Sequence, residues 1–218
     1  MRRRATAAIA ALSLAGVTLA GCGSASAPSP PTGVDGLVIP TPDPAAADFV
    51  ARVDNPWLPL AVGSRWSYAD RVSGAPAFTL TVEPGPSVAG VATTTLVRTN
   101  ADGSLVRDHF AQDRAGNVWW FGREGEWRAG ADGAEAGLAM PAAPRFGDGF
   151  RTSSAPGRSE VATVAEVGAE TRTPLATYRR TVRLEIEDAA GSRDETYARG
   201  VGLVRTDEAG LVAYDEAR

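Results

Sequence analysis

The sequence contains no lysine; all 22 of its basic residues are arginine. That absence excludes a lysine Schiff base, a Walker-type phosphate lysine and a Ser-x-x-Lys acylation pair. Cysteine and histidine occur once each, as Cys22 and His109. A single cysteine excludes an intramolecular disulfide, and the two counts together exclude a zinc site of the Cys/His kind. No Gly-x-Ser-x-Gly elbow is present, and no long helical stripe of apolar residues. Aromatic residues are only 7% of the chain, yet Phe110, Trp119, Trp120, Phe121 and Trp127 crowd into one short span beside the only histidine.

What is present suffices for one ordinary globular domain: 218 residues, 44% apolar and 22% charged. Arg2, Arg3 and Arg4 form a positive n-region, and Ala5 to Leu19 an apolar stretch too short for a comfortable span. The stretch ends in Leu19-Ala20-Gly21-Cys22, which closely resembles the bacterial lipobox. The resemblance implies cleavage after Gly21 and acylation of Cys22, with diacylglyceryl and a further chain such as palmitate. Two or three chains make a stable anchor. Loss of the leader's three arginines takes the net charge from −4 to −7. That balance argues against nucleic acid and against electrostatic docking on anionic lipid. The expected address is the extracytoplasmic side of a membrane, either the outer surface or the periplasm, held by lipid on Cys22.

The organisation read from the chain is a signal peptide over 1–21, a lipidated cysteine with a Pro/Ser/Ala-rich linker over 22–47, and a single β domain over 48–218. Pro28, Pro30, Pro31, Pro40, Pro42 and Pro44 favour extended, polyproline-like linker conformations. From Phe49 onward period-2 segments appear. Phe78, Leu80 and Val82 alternate with Thr79, Thr81 and Glu83; Val182, Leu184 and Ile186 alternate with Arg183, Glu185 and Glu187; Trp66 and Tyr68 share a face. Such alternation predicts antiparallel strands with one dry and one wet face. Turn signals separate them, at 99–104, 113–117, 188–192 and 207–210. Turn spacing gives roughly nine to eleven strands. The expected fold is all-β: an antiparallel meander curled into an up-and-down barrel or half-barrel, with few short helices. A two-sheet sandwich is the alternative. Residues 44–53 are a candidate short helix, and 160–167 reads as strand because of its valines.

Adjacent strand residues face opposite ways, so Trp119 and Trp120 are expected on different faces. Phase puts Trp119 with Phe121 and Val118 with Trp120. The surplus aromatic then needs cover from a loop, a strand or a ligand, with "NPWLPL" at 55–60 a candidate. If Phe110 is core, His109 lies outside beside Arg107 and is expected to be solvated. The candidate ligand or interaction surface is Trp66, Tyr68, Trp119, Trp120, Phe121 and Trp127.

Four stretches resemble a family of exported bacterial proteins and lipoproteins with no characterised activity: "VDNPWLPLAVGSRWSY", "FAQDRAGNVWWFG", "EWRAGADGAEAGLAMPAAPRFGDGFR" and "YARGVGLVRT". They carry DNPW-x-PL, AQD-x-x-GNVW-x-FG and MPA-x-P-x-x-GD motifs, and the resemblance spans about residues 50–206. It brings no substrate and no catalytic residue. An aromatic in place of His109 is usual in that family, which speaks against catalysis by this histidine. The motifs read physically as structural: the prolines of "DNPWLPL" fix an extended strap that lays Trp57, Leu58 and Leu60 on the core.

No catalytic residue, metal ligand or cofactor is assigned. The acidic residues near the tryptophans, Asp108, Asp113 and Glu124, read as turn and rim groups, although two carboxylates are all that a glycosidase needs. "NADGS" and "DRAGN" lack the alternating carboxylates of a calcium loop. Two main readings stand. One is a structural or protein-interaction module of the cell envelope, contacting partners through an exposed aromatic strip or an open strand edge. The other is a carrier or binder of a lipid or other apolar ligand inside a barrel. A carboxylate hydrolase is a third, weaker one. Whether the inward aromatics line a void or pack solid separates the first two.

Overall fold

The alternating segments close into a ring. The computed structural model describes residues 45–217; the leader, Cys22 and the linker as far as residue 44 lie outside the described residues. One 3-10 turn, Ala46–Asp48, precedes fourteen antiparallel strands in a single sheet. They are β1 (Phe49–Val50), β2 (Arg65–Asp70), β3 (Pro76–Val88), β4 (Val91–Asn100), β5 (Leu105–Asp113), β6 (Val118–Arg123) and β7 (Trp127–Arg128). There follow β8 (Glu135–Met140), β9 (Gly149–Ala155), β10 (Arg158–Arg172), β11 (Thr177–Asp188), β12 (Gly191–Ala198), β13 (Gly202–Thr206) and β14 (Ala209–Asp215).

From β2 on, each stave pairs with the next in the chain, and β14 returns to pair with β2, from Ala209 opposite Asp70 to Asp215 opposite Arg65. β7 and β8 lie on the same side of β6 and form one stave interrupted by a loop. β1 adds two residues beside the end of β5. The result is a closed up-and-down barrel of twelve staves, not a half-barrel or a sandwich. The strand count exceeds the expected range because short pieces such as β7, β8 and β13 carry little alternation of their own. Residues 44–53 give a 3-10 turn and β1 in place of a helix, and 160–167 lies within β10 as expected.

Closure hides the edges, so the open edge considered as a contact surface does not exist around the ring. The outward rows of β10, β11 and β12 are wet: Arg183 pairs with Asp194 at 2.9 Å and lies 3.7 Å from Glu166. A membrane-spanning barrel has the opposite sidedness, with an apolar outside.

The interior holds the main core, including Trp66, Phe78, Leu80, Val118, Met140, Phe150, Val164, Leu184, Val204 and Leu211. Each fully buried side chain of this kind contributes about 1.5–3 kcal/mol. Gly137 shows how close the staves run: a Cβ there would meet the Thr152 carbonyl oxygen at 2.1 Å. A smaller cluster lies on the outside. The far end of the β3–β4 hairpin brings Val88 and Val91 onto Trp119, Phe121, Ala111 and Ala129. Phe49 of β1 joins them, its ring edge-on to Phe121 at 5.1 Å. The cover over the outer aromatics is therefore this hairpin, β1 and the interrupted stave. The "NPWLPL" segment goes elsewhere.

The two ends of the barrel differ. One end is closed by the strap of residues 52–64, which sets Leu58 and Leu60 into the interior core. The strap is folded on itself, Leu60 donating to the Val53 carbonyl at 3.0 Å, and is tied to the wall where Gly63 donates to Val82 at 2.9 Å and Gly200 of the β12–β13 turn to Pro56 at 2.7 Å. Asn55, 1% exposed, is the knot. Its Nδ2 donates to Gly116 at 2.7 Å and Pro141 at 3.2 Å, while its Oδ1 accepts from the backbone of Trp57 and Leu58. Gln112 accepts from the backbone N–H groups of Asp54 and Asn55. Asn117 donates to Asp113 and accepts from Ala142. Thus the DNPW, AQD-x-x-GNVW and MPA segments all meet at the closed end, as one hydrogen-bonded lock.

Candidate functional site

A cavity of about 370 Å³ runs from the strap toward the other end of the barrel. Its floor is Leu58, Pro59 and Leu60, and its wall is Trp66, Tyr68, Phe78, Leu80, Phe110, Trp120 and Ile186. Inward alternation along β2, β3, β5, β6 and β11 places the wall residues, and the strap supplies the floor. Ligand pockets commonly measure about 300–1,000 Å³ and are mostly apolar with a few placed polar groups.

The polar groups sit toward the mouth, where the β4–β5, β6–β7, β9–β10 and β11–β12 turns gather. Asp108 of β5 takes a two-point contact from Arg123 of β6, at 2.8 and 3.0 Å, and the Trp120 indole N–H at 3.1 Å. Glu160 of β10, 4% exposed, accepts from Arg193 of β12 at 2.9 Å and from the Thr152 hydroxyl at 2.7 Å. Glu195 of β12 accepts from the Tyr197 hydroxyl and lies 3.7 Å from the Arg193 Nε. Arg98 of β4 donates through Nε to Asn100 at 2.8 Å and holds its guanidinium 3.8 Å from the centre of the Phe78 ring. Arg123 and Arg158 stand over the Trp120 ring, at 5.2 and 5.1 Å.

Burial and pairing tune these groups. Desolvation pushes the Glu195 carboxyl above its ordinary value, more than the Tyr197 hydrogen bond and the Arg193 charge bring it down. Desolvation likewise raises the Tyr197 and Tyr68 hydroxyls well above theirs. It works against the charge of Arg123 and Arg193, but the hydrogen bonds they donate to Asp108 and Glu160, with the charges of those carboxylates, outweigh it and hold both guanidiniums above the usual value. Among the described residues Arg98 has no such partner, and desolvation lowers it.

The six candidate residues divide three ways. Trp66, Tyr68 and Trp120 line the cavity. Trp66 donates to the Val201 carbonyl and Tyr68 to that of Leu203, both at 2.7 Å, which orients the two rings. Trp119 and Phe121 lie on the other side of the wall, in the covered outer cluster. Trp127 is half-buried, edge-on to Trp120 at 5.0 Å. None of the six is an exposed strip, so the expectation of an aromatic contact surface is corrected: Trp119 is 1% and Phe121 3% exposed. His109 also departs from expectation. It faces outward as its phase requires but is only 4% exposed, with Nδ1 3.0 Å from the Thr95 hydroxyl. It stands in the outward row of β5 with Ala111, at the margin of the outer cluster. Asp113 is a turn group, accepting from Asn117 and the Trp119 indole, and Glu124 lies 3.7 Å from Arg107.

Sequence reasoning missed Arg98, Glu160, Arg193 and Glu195 as cavity residues. The signal was phase. Glu160 is in step with Ala162 and Val164, and Arg98 with Leu96, so each is a charge placed in an apolar row.

No family model matches the chain, and no curated protein matches it. Two solved structures share part of its shape. One, from Bacteroides fragilis, is described as an exported protein with a YmcC-like fold; it is 12% identical, with 73% of this chain and 99% of that chain covered and a TM-score of 0.37. The other, from Parabacteroides distasonis, is described as a lipoprotein; it is 14% identical, with 72% and 97% covered and a TM-score of 0.35. Likenesses this distant carry no inference about what this chain does.

Proposed function

We propose that this protein is a lipid-anchored, extracytoplasmic β-barrel that binds an apolar ligand in its interior. The observation that carries the reading is the void itself. Small barrels can fill themselves with side chains, but here Trp66, Tyr68, Phe78, Phe110 and Trp120 surround about 370 Å³ of space. Each ligand methylene taken into such a site contributes about 0.8 kcal/mol. The anchor is acylated Cys22 at the end of its lipobox. The described chain begins beside the closed end, where Arg114 donates to the Asp48 carbonyl, and so opposite the mouth.

The test is native mass spectrometry of the full chain carrying Cys22→Ser, purified from an envelope fraction. A discrete excess mass that extracts into organic solvent, and is absent from a cavity-filling Leu80→Trp variant, supports the reading. A mass equal to the polypeptide, with no uptake of added dodecanol, overturns it. The anchor is tested separately: wild type sediments with membranes and Cys22→Ser does not.

A further inference from the structure

We propose that the ligand is a single-chain amphiphile with an anionic head, seated with its tail on the aromatic wall and its head at Arg98. The inference rests on the cavity reading and adds the chemical class of the occupant.

Volume sets the tail. At about 30 Å³ per water-sized group, the cavity takes roughly a dozen heavy atoms. The apolar groups form one continuous lining from Leu58 and Leu60 at the floor to Phe78 and Phe110 nearer the mouth. A single chain of medium length fits that shape.

The charges set the head. The carboxylates that line the cavity are already engaged. Asp108 is held by Arg123, Glu160 by Arg193 and Thr152, and Glu195 by the Tyr197 hydroxyl. Arg123 and Arg193 are committed in return. Arg98 differs: among the described residues no carboxylate lies within ion-pair distance of it, while Asn100 takes its Nε and Phe78 supports its flat face. The guanidinium is thus fixed in direction at the mouth, with both Nη groups left as donors. A guanidinium held this way loses little freedom on binding, and its paired N–H groups match the oxygens of a carboxylate or phosphate. A cationic head would meet Arg98 and only neutralised acids.

Titration calorimetry of the full-length Cys22→Ser protein with dodecanoate, dodecyl phosphate and dodecanol tests this. A charge-assisted hydrogen bond corresponds to about ten- to a hundredfold in affinity. The expected result is that dodecanoate, dodecyl phosphate or both bind at least tenfold more tightly than dodecanol. Which anion wins identifies the head as carboxylate or phosphate. Arg98→Met should erase the preference and leave dodecanol binding in place. Asn100→Asp, which supplies Arg98 with a carboxylate and keeps the arginine, should reduce the preference independently should Arg98→Met fold poorly. Equal binding of all three, unchanged in both variants, overturns the anionic head and leaves the cavity reading standing. Binding of none overturns both.

Discussion

Trp119 and Trp120 are consecutive residues whose indoles lie on opposite sides of one barrel wall. The Trp119 N–H donates to Asp113 at 2.9 Å beneath the outer cover, and that of Trp120 to Asp108 at the cavity rim. Their substitutions should therefore separate stability from binding. Trp119→Ala removes a fully buried side chain from a packed cluster and should cost about 3–5 kcal/mol. Trp120→Ala widens an existing void, so it should cost less and weaken dodecanol uptake. Urea denaturation and calorimetry on both variants check the contrast.

Asn55 ties the strap with four side-chain hydrogen bonds, two donated and two accepted. Asn55→Ala strands two buried N–H groups and two carbonyls, at about 1–3 kcal/mol for each group left unmet. The expected outcome is a loss of at least about 3 kcal/mol. Asn55→Asp should also fail, because it turns a second oxygen toward the Gly116 and Pro141 carbonyls. Equilibrium unfolding midpoints measure both.

Burial, and secondarily the charge of Arg128, lowers His109 below its ordinary 6.5, against the opposite pull of Glu124 and Asp108. Folding therefore favours the neutral ring. Its contribution is present above pH 6.5 and is lost as pH falls through the folded-state value. His109→Gln should flatten stability between pH 7.5 and about 5.5, where few other groups titrate. Denaturant midpoints across that interval give the slope.

Glu195 runs the other way. Its carboxyl is raised above 4.5 by desolvation, so the folded state prefers it protonated. That contribution is present below pH 4.5 and lost as pH rises through the folded-state value. Glu195→Gln keeps an acceptor for Tyr197 and leaves Arg193 its contacts with Glu160 and Asp188. It should raise the melting temperature at pH 7.5, with the gain vanishing near pH 4. Thermal scans at the two pH values decide it.

Much of the wall was legible in the sequence, because period-2 alternation is read residue by residue. "AFTLTVE" and "TVRLEIED" gave both the strands and their inward faces, and the phase of Trp119 against Trp120 followed from the same rule. Closure is a long-range fact. Nothing local in "RWSYAD" says that it pairs with "AGLVAYD". The strap "NPWLPL" is a candidate cover for the surplus aromatic by sequence, but its prolines carry it across the barrel end. Val88 and Val91, flanking a tight turn, do the covering. The cavity was not legible at all: a void is the difference between wall and filling, and only the wall is written as a pattern.

The meeting of β2 with β14 orders events in time. The first full stave of the ring waits, one side unpaired, while all the others are made, and finds its partner only when residues 209–215 arrive. Pairing over such a separation is slow, since the chain must surrender its freedom before the contact rewards it. Until then two sheet edges stand open to proteases and to other chains, and there is no enclosed interior. A chain cut short by its last strand would lack far more than seven residues. It would be an open, edge-bearing sheet, recognisable to any quality control that reads unpaired backbone.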